Sequence, residues 1–200
     1  MILEKHQYRQ FIRLYETLIN YSAVEKGIEE SLEDTFLNEN GHAFLEAERM
    51  IWGPDGDRGI IDRYVENNPF NFGPDNLAEV QSWSGGIYDT FTVCQCGLET
   101  LFLCGWRAFS VRGLDREVDE VLTRMPATVR ATLLPFEDTI VFAVIMSEIV
   151  YETDQDKVDR INREVRDYLK LDKVHRTAHE FIVLSNIARE EHLSRKAQTT

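Results

Sequence analysis

Three groups of residues in this 200-residue chain carry side chains with chemical potential. Cys94-Gln95-Cys96 puts two thiols on one face of a strand, with Cys104 on the strand that follows. A zinc site would need all three to converge at bonds of about 2.3 Å. A two-residue turn at Gly97-Leu98 pairs Cys96 with Glu99 and Cys94 with Leu101, and sends Cys104, opposite Phe91, to the other face. A three-residue turn returns Cys104 to the same face but opposite Thr90, too far away. The cysteines therefore read as buried structural thiols. His175 and His179 stand one helical turn apart, a spacing that binds zinc or nickel when a third ligand arrives. Glu180 follows the second histidine instead of lying between the two, so the order of a zinc protease is missing. Asp55, Asp57 and Asp62 surround a glycine-rich loop whose oxygens suit Mg²⁺ or Ca²⁺. The spacing fails the EF-hand template, and aspartates before a helix also cap its free amides.

Trp52, Trp83 and Trp106, with Tyr88, Phe91, Phe70 and Phe72, could line a pocket where helices meet sheet, although at these spacings they read first as core. There is no Walker loop, no G-x-S-x-G elbow and no G-x-G-x-x-G after a strand, so nucleophilic catalysis has no candidate residue. No cofactor is expected.

These residues must be positioned by an α+β chain. Tyr8, Phe11, Ile12, Tyr15, Leu18 and Ile19 recur at three- and four-residue spacing and predict a first helix to about Lys26. A short helix from Ser31, one over 42–52, one through Ile60–Val65 and one opened by Pro74 complete a helical half over 1–86. Between 87 and 151 the Thr-, Phe- and Val-rich runs predict an antiparallel meander: 87–96, 99–104, 106–112, 128–134 and 139–146. A helix over 115–125 interrupts it, and 147–151 extends the last strand or bends off it. Residues 155–196 predict a C-terminal helical hairpin, its first helix striped by Val158, Ile161, Val165 and Leu169 and its second by Phe181, Leu184 and Ile187. The whole is read as a single α+β domain, and Ile182 and Val183 widen the apolar arc that the chain's own sheet, or a second subunit in a homodimer, must cover.

Arg49-Met50-Ile51-Trp52, Glu66-Asn67-Asn68-Pro69, Trp83 and Leu133-Leu134-Pro135-Phe136-Glu137-Asp138-Thr139-Ile140-Val141 follow one another in an order that resembles a family of uncharacterised bacterial proteins. Some members of that family carry a C-terminal SEC-C zinc-binding motif. The resemblance spans roughly residues 45–145 and implies no known activity. Phe142-Ala143 stands where the relatives tend to show Asp-Gly, and the last fifty residues hold no cysteine, so no SEC-C zinc site carries over.

Composition limits the function classes. A net charge of −13 repels phosphate backbones and anionic lipid, which argues against nucleic-acid and membrane-surface binding. Residues 1–100 hold 7 basic and 18 acidic side chains, residues 101–200 hold 15 and 17, so the acidity belongs to the helical half. An early polar N-terminus and three cysteines, an odd number, point to a reducing cytoplasm. The sequence thus predicts a non-catalytic cytoplasmic protein-interaction module. The alternatives are a metal-dependent hydrolase using Asp55, Asp57 and Asp62 or His175 and His179, and a small-ligand binder at the aromatic junction.

Overall fold

Leu3 precedes a helix whose first amides are satisfied reciprocally, because the Glu4 and Gln7 side chains form a capping box. This helix, α1 (Lys5–Glu25), and the rest of the chain are taken from a computed structural model that describes residues 1–30, 41–105, 107–143 and 146–186. The predicted helix from Ser31 lies outside the described residues. The chain divides into two compact units, Leu3–Tyr88 and Asp89 onward together with Met1–Ile2. The division falls two residues from the change of period read in the sequence.

The first unit is helical: α1, α2 (Gly41–Trp52), α3 (Gly59–Asn67) and α4 (Pro74–Ser82). Phe11, Leu14, Tyr15, Leu18 and Ile19 of α1 are all buried, as the spacing requires, while Tyr8 and Ile12 are only half-buried. Tyr15 is the hub of an aromatic core, stacked on Phe11 at 5.6 Å and Trp52 at 6.1 Å and set edge-on to Trp83 at 6.2 Å. Such offset and edge contacts add to the area the rings bury. The phenol donates to Glu48 Oε2 at 2.6 Å, so a carboxylate is held in this core. Pro74 opens α4 at the first turn, where its missing N–H costs nothing.

The second unit is built on a mostly antiparallel sheet of β1 (Ile87–Cys96), β2 (Glu99–Cys104), β3 (Arg107–Val111), β4 (Ala127–Phe136), β5 (Thr139–Phe142), β6 (Ser147–Tyr151) and β7 (Val174–His175). The order is β5-β4-β1-β2-β3-β7, with β6 also on β4. Arg112 bridges to Val141 and its N–H donates to Ile140 O at 2.9 Å, so the end of β3 meets β5 and the sheet curls on itself. Phe91, Phe102, Phe109 and Phe142 pack on one face. Cys94, Leu101, Leu103 and Ala108 on the other are covered by Ile161, Val165, Tyr168 and Leu169 of α6 (Gln155–Lys170).

Four expectations need correction. The inserted helix predicted over 115–125 is one turn, α5 (Val118–Val121); Leu122 is already extended, and Pro126 disfavours helix in the residue before it. The strand predicted over 139–146 stops at Phe142. Its turn narrows to Glu137-Asp138, with Glu137 at φ 51, because β4 continues to Phe136. Of the two courses read for residues 147–151 the second is the one taken: they bend off to pair with the opposite end of β4, Ala127 facing Tyr151. Finally, the link expected to fold two C-terminal helices against one another contains β7, which pairs parallel with β3. The chain thereby crosses the sheet edge: α6 lies on the Leu101 face, whereas the next helix, α7 (178–186 as described), sets Phe181 against Phe109 at 5.5 Å on the other. Among the described residues no helix is long and apolar enough to cross a membrane.

Candidate functional site

The two-residue turn is the one adopted at Gly97-Leu98, with Cys96 opposite Glu99 and Cys94 opposite Leu101. All three cysteines are free, and only Cys94 is buried: Cys96 and Cys104, expected in the core as well, are half-buried near the ends of their strands. Cys94 is buried beneath α6, and burial pushes its thiol up to about 12. Cys104 points to the opposite face, where its thiol donates to Asp89 Oδ2 at 2.9 Å; burial and that carboxylate raise it to about 11. Raised in this way, neither thiol is poised as a nucleophile at neutral pH.

The histidines are not one helical turn apart. His175 sits in β7 with its ring 5.8 Å from that of Phe109, and burial lowers its pKa. His179 is exposed in the first turn of α7, whose start is fixed by Thr177 and Glu180: Glu180 Oε2 accepts from the Arg176 and Thr177 amides, and Thr177 Oγ1 accepts from Glu180 N. The carboxylate loop is likewise occupied. Asp57 Oδ1 accepts from Gly59 N at 3.0 Å while Oδ2 meets Arg63 at 2.9 Å and Lys26 at 3.7 Å. The Arg63 hydrogen bond holds the Asp57 carboxyl below its ordinary range. Asp62 accepts from Gln81 at 2.8 Å, and Asp55 is exposed. Among the described residues no three His, Cys, Asp or Glu side chains gather as a metal-ligating group.

The aromatic candidates are distributed between the units. Trp52 and Trp83 lie in the helical core, joined by the Trp52 indole N–H donating to Trp83 O at 2.8 Å. Tyr88 is half-buried at the start of β1, Phe91 is buried in the sheet unit, and Trp106 lies outside the described residues.

A concave site that sequence reasoning missed belongs to the helical unit. Arg9, Gln10, Arg13 and Leu14 of α1 face Phe72 and Asn76 across a cavity of about 380 Å³. Arg9 and Arg13 share a helix face because they are four residues apart. Neither makes an ion pair with a carboxylate among the described residues, although this unit holds 16 carboxylates against seven Lys and Arg. Arg13 instead lies over the Phe72 ring at 5.1 Å from its centroid. Gln10 Nε2 donates to Asn76 Oδ1 at 3.0 Å, tying α1 to the first turn of α4. Positive charge, amide groups and an apolar floor thus converge on one concavity, an arrangement that receives oxyanions. The signal in the sequence was an arginine pair at i, i+4 beside the apolar stripe of a helix in an otherwise acidic half. A second cavity, about 310 Å³ beside Tyr168, carries its own carboxylates in Glu164 and Asp167 among Arg160, Arg163 and Lys173. Comparison with family models, curated proteins and solved structures gives no match.

Proposed function

We propose that the protein is a non-catalytic binding module of the reducing cytoplasm, which receives an anionic group of a partner protein at the Arg9–Arg13 cavity. The observation that carries this reading is the pair of guanidiniums that, among the described residues, make no ion pair with a carboxylate in a strongly acidic unit. Of the groups that could do chemistry, Asp57 is engaged in a cap and two ion pairs, Cys94 is buried, the half-buried Cys104 donates to Asp89 and His175 lies against Phe109. Thermal unfolding at fixed ionic strength in acetate, phosphate or sulfate tests it. At least one anion should raise the melting temperature of the wild type and not that of Arg9→Gln/Arg13→Gln. Identical responses to every anion would remove the reading. A rise with Mg²⁺ or Zn²⁺ that Asp57→Asn or His175→Gln abolishes would replace it with a metal-dependent hydrolase.

A further inference from the structure

The cavity between α1 and α4 is more selective than a patch of positive charge. The Gln10 to Asn76 hydrogen bond fixes both amides, presenting Asn76 Nδ2 as a donor and Gln10 Oε1 as an acceptor beside the two guanidiniums. A ligand that satisfies all of these brings a planar oxyanion for the arginine forks together with an N–H or O–H for Gln10. The floor, Leu14 and Phe72, is apolar, and Arg13 lies across the Phe72 ring. A volume of about 380 Å³ admits one or two amino-acid residues. The surrounding excess of carboxylates repels a ligand in proportion to its charge, so a monoanion is opposed less than a phosphate dianion or a polyanion.

We infer that the group received here is the terminal carboxylate of a polypeptide. The arginines take the carboxylate, Gln10 accepts the last peptide N–H, and the terminal side chain lies against the narrow edge of Phe72 that Arg13 leaves open. This assignment rests on the binding-module reading and names the chemistry of its partner. Capture of a free C-terminus by converging donors is an established mode of peptide recognition, here with side chains in place of backbone amides.

Calorimetric titration at pH 7 of the full chain with N-acetyl-Leu-Leu as the free acid, and with the same dipeptide amidated at its C-terminus, tests the inference. The acid should bind and the amide should bind about tenfold or more weakly, the usual value of one charge-assisted contact. Arg9→Gln and Arg13→Gln should each cost at least about tenfold in affinity for the acid, and Lys5→Gln nothing. All three side chains are exposed, so melting temperatures should fall by no more than the few degrees that loss of the Arg13 contact with Phe72 carries. Equal binding of acid and amide overturns the inference. Tighter binding of inorganic phosphate than of the dipeptide also overturns it, while leaving an anion-binding module in place. Binding of N-acetylleucine tighter than that of the dipeptide overturns the polypeptide source in favour of a small acylated acid, because the preceding residue would then be disfavoured. Binding of no anion at all removes the inference and the underlying reading together.

Discussion

Asp57 shows how a residue with catalytic potential becomes structural. Its carboxylate takes one amide at the start of α3 and two cationic side chains, and its folded pKa lies below the ordinary 3.8, with the Arg63 hydrogen bond as the first cause. A depressed carboxyl pKa contributes stability that is complete above the unfolded value and is lost as pH falls through the folded one. Since nearly half of this side chain is exposed, screening keeps the contribution small. Asp57→Asn keeps an oxygen for Gly59 N, so it should cost about 1 kcal/mol or less at pH 7. Urea titrations of wild type and variant should converge as pH falls below the depressed folded value, where the wild-type carboxyl is also neutral. A difference that persists there would mean that shape, not charge, sets the effect.

At the scale of elements, β7 was the feature that periodicity could not supply. The link inside the predicted C-terminal hairpin carries no strand signal in the sequence, because two residues are too few to show alternation and their partner strand lies more than sixty residues earlier. The helices on either side were legible, since Val165 and Phe181 fall on apolar stripes; which face of which layer each stripe meets depends on β7. The helical half was equally legible because buried aromatics at three and four spacings leave little choice. The Arg9–Arg13 cavity was not, because it needs α4 beside α1, a tertiary fact. Phe181, buried against Phe109, should be the anchor of α7. Phe181→Ala should lower stability by about 3–5 kcal/mol, whereas Val183→Ala, at a site 46% exposed, should change it by under about 0.5 kcal/mol. Equal effects of the two, measured by chemical denaturation, would place α7 elsewhere.

For the whole molecule, the division at Tyr88 makes a strong claim about autonomy. The helical unit has its own aromatic core around Tyr15 and its own closing hydrogen bonds, including Tyr15 to Glu48 and Thr17 to Tyr64 at 2.7 Å. A fragment of residues 3–88 should therefore keep a helical circular-dichroism spectrum and melt cooperatively, a size at which single domains still fold alone. A featureless, non-cooperative melt would show that the core needs the remainder of the chain.

The late position of β7 also bears on how the protein is made. β3 is complete at Val111, but the strand that covers its outer edge is translated only from Val174. At synthesis rates of about 5–20 residues per second, the row of unpaired amides and carbonyls along β3 stays bare on the nascent chain for roughly 3–13 seconds. In that interval neighbouring chains on the same messenger present identical open edges, so crowded polysomes are where strand exchange between copies of this protein would begin.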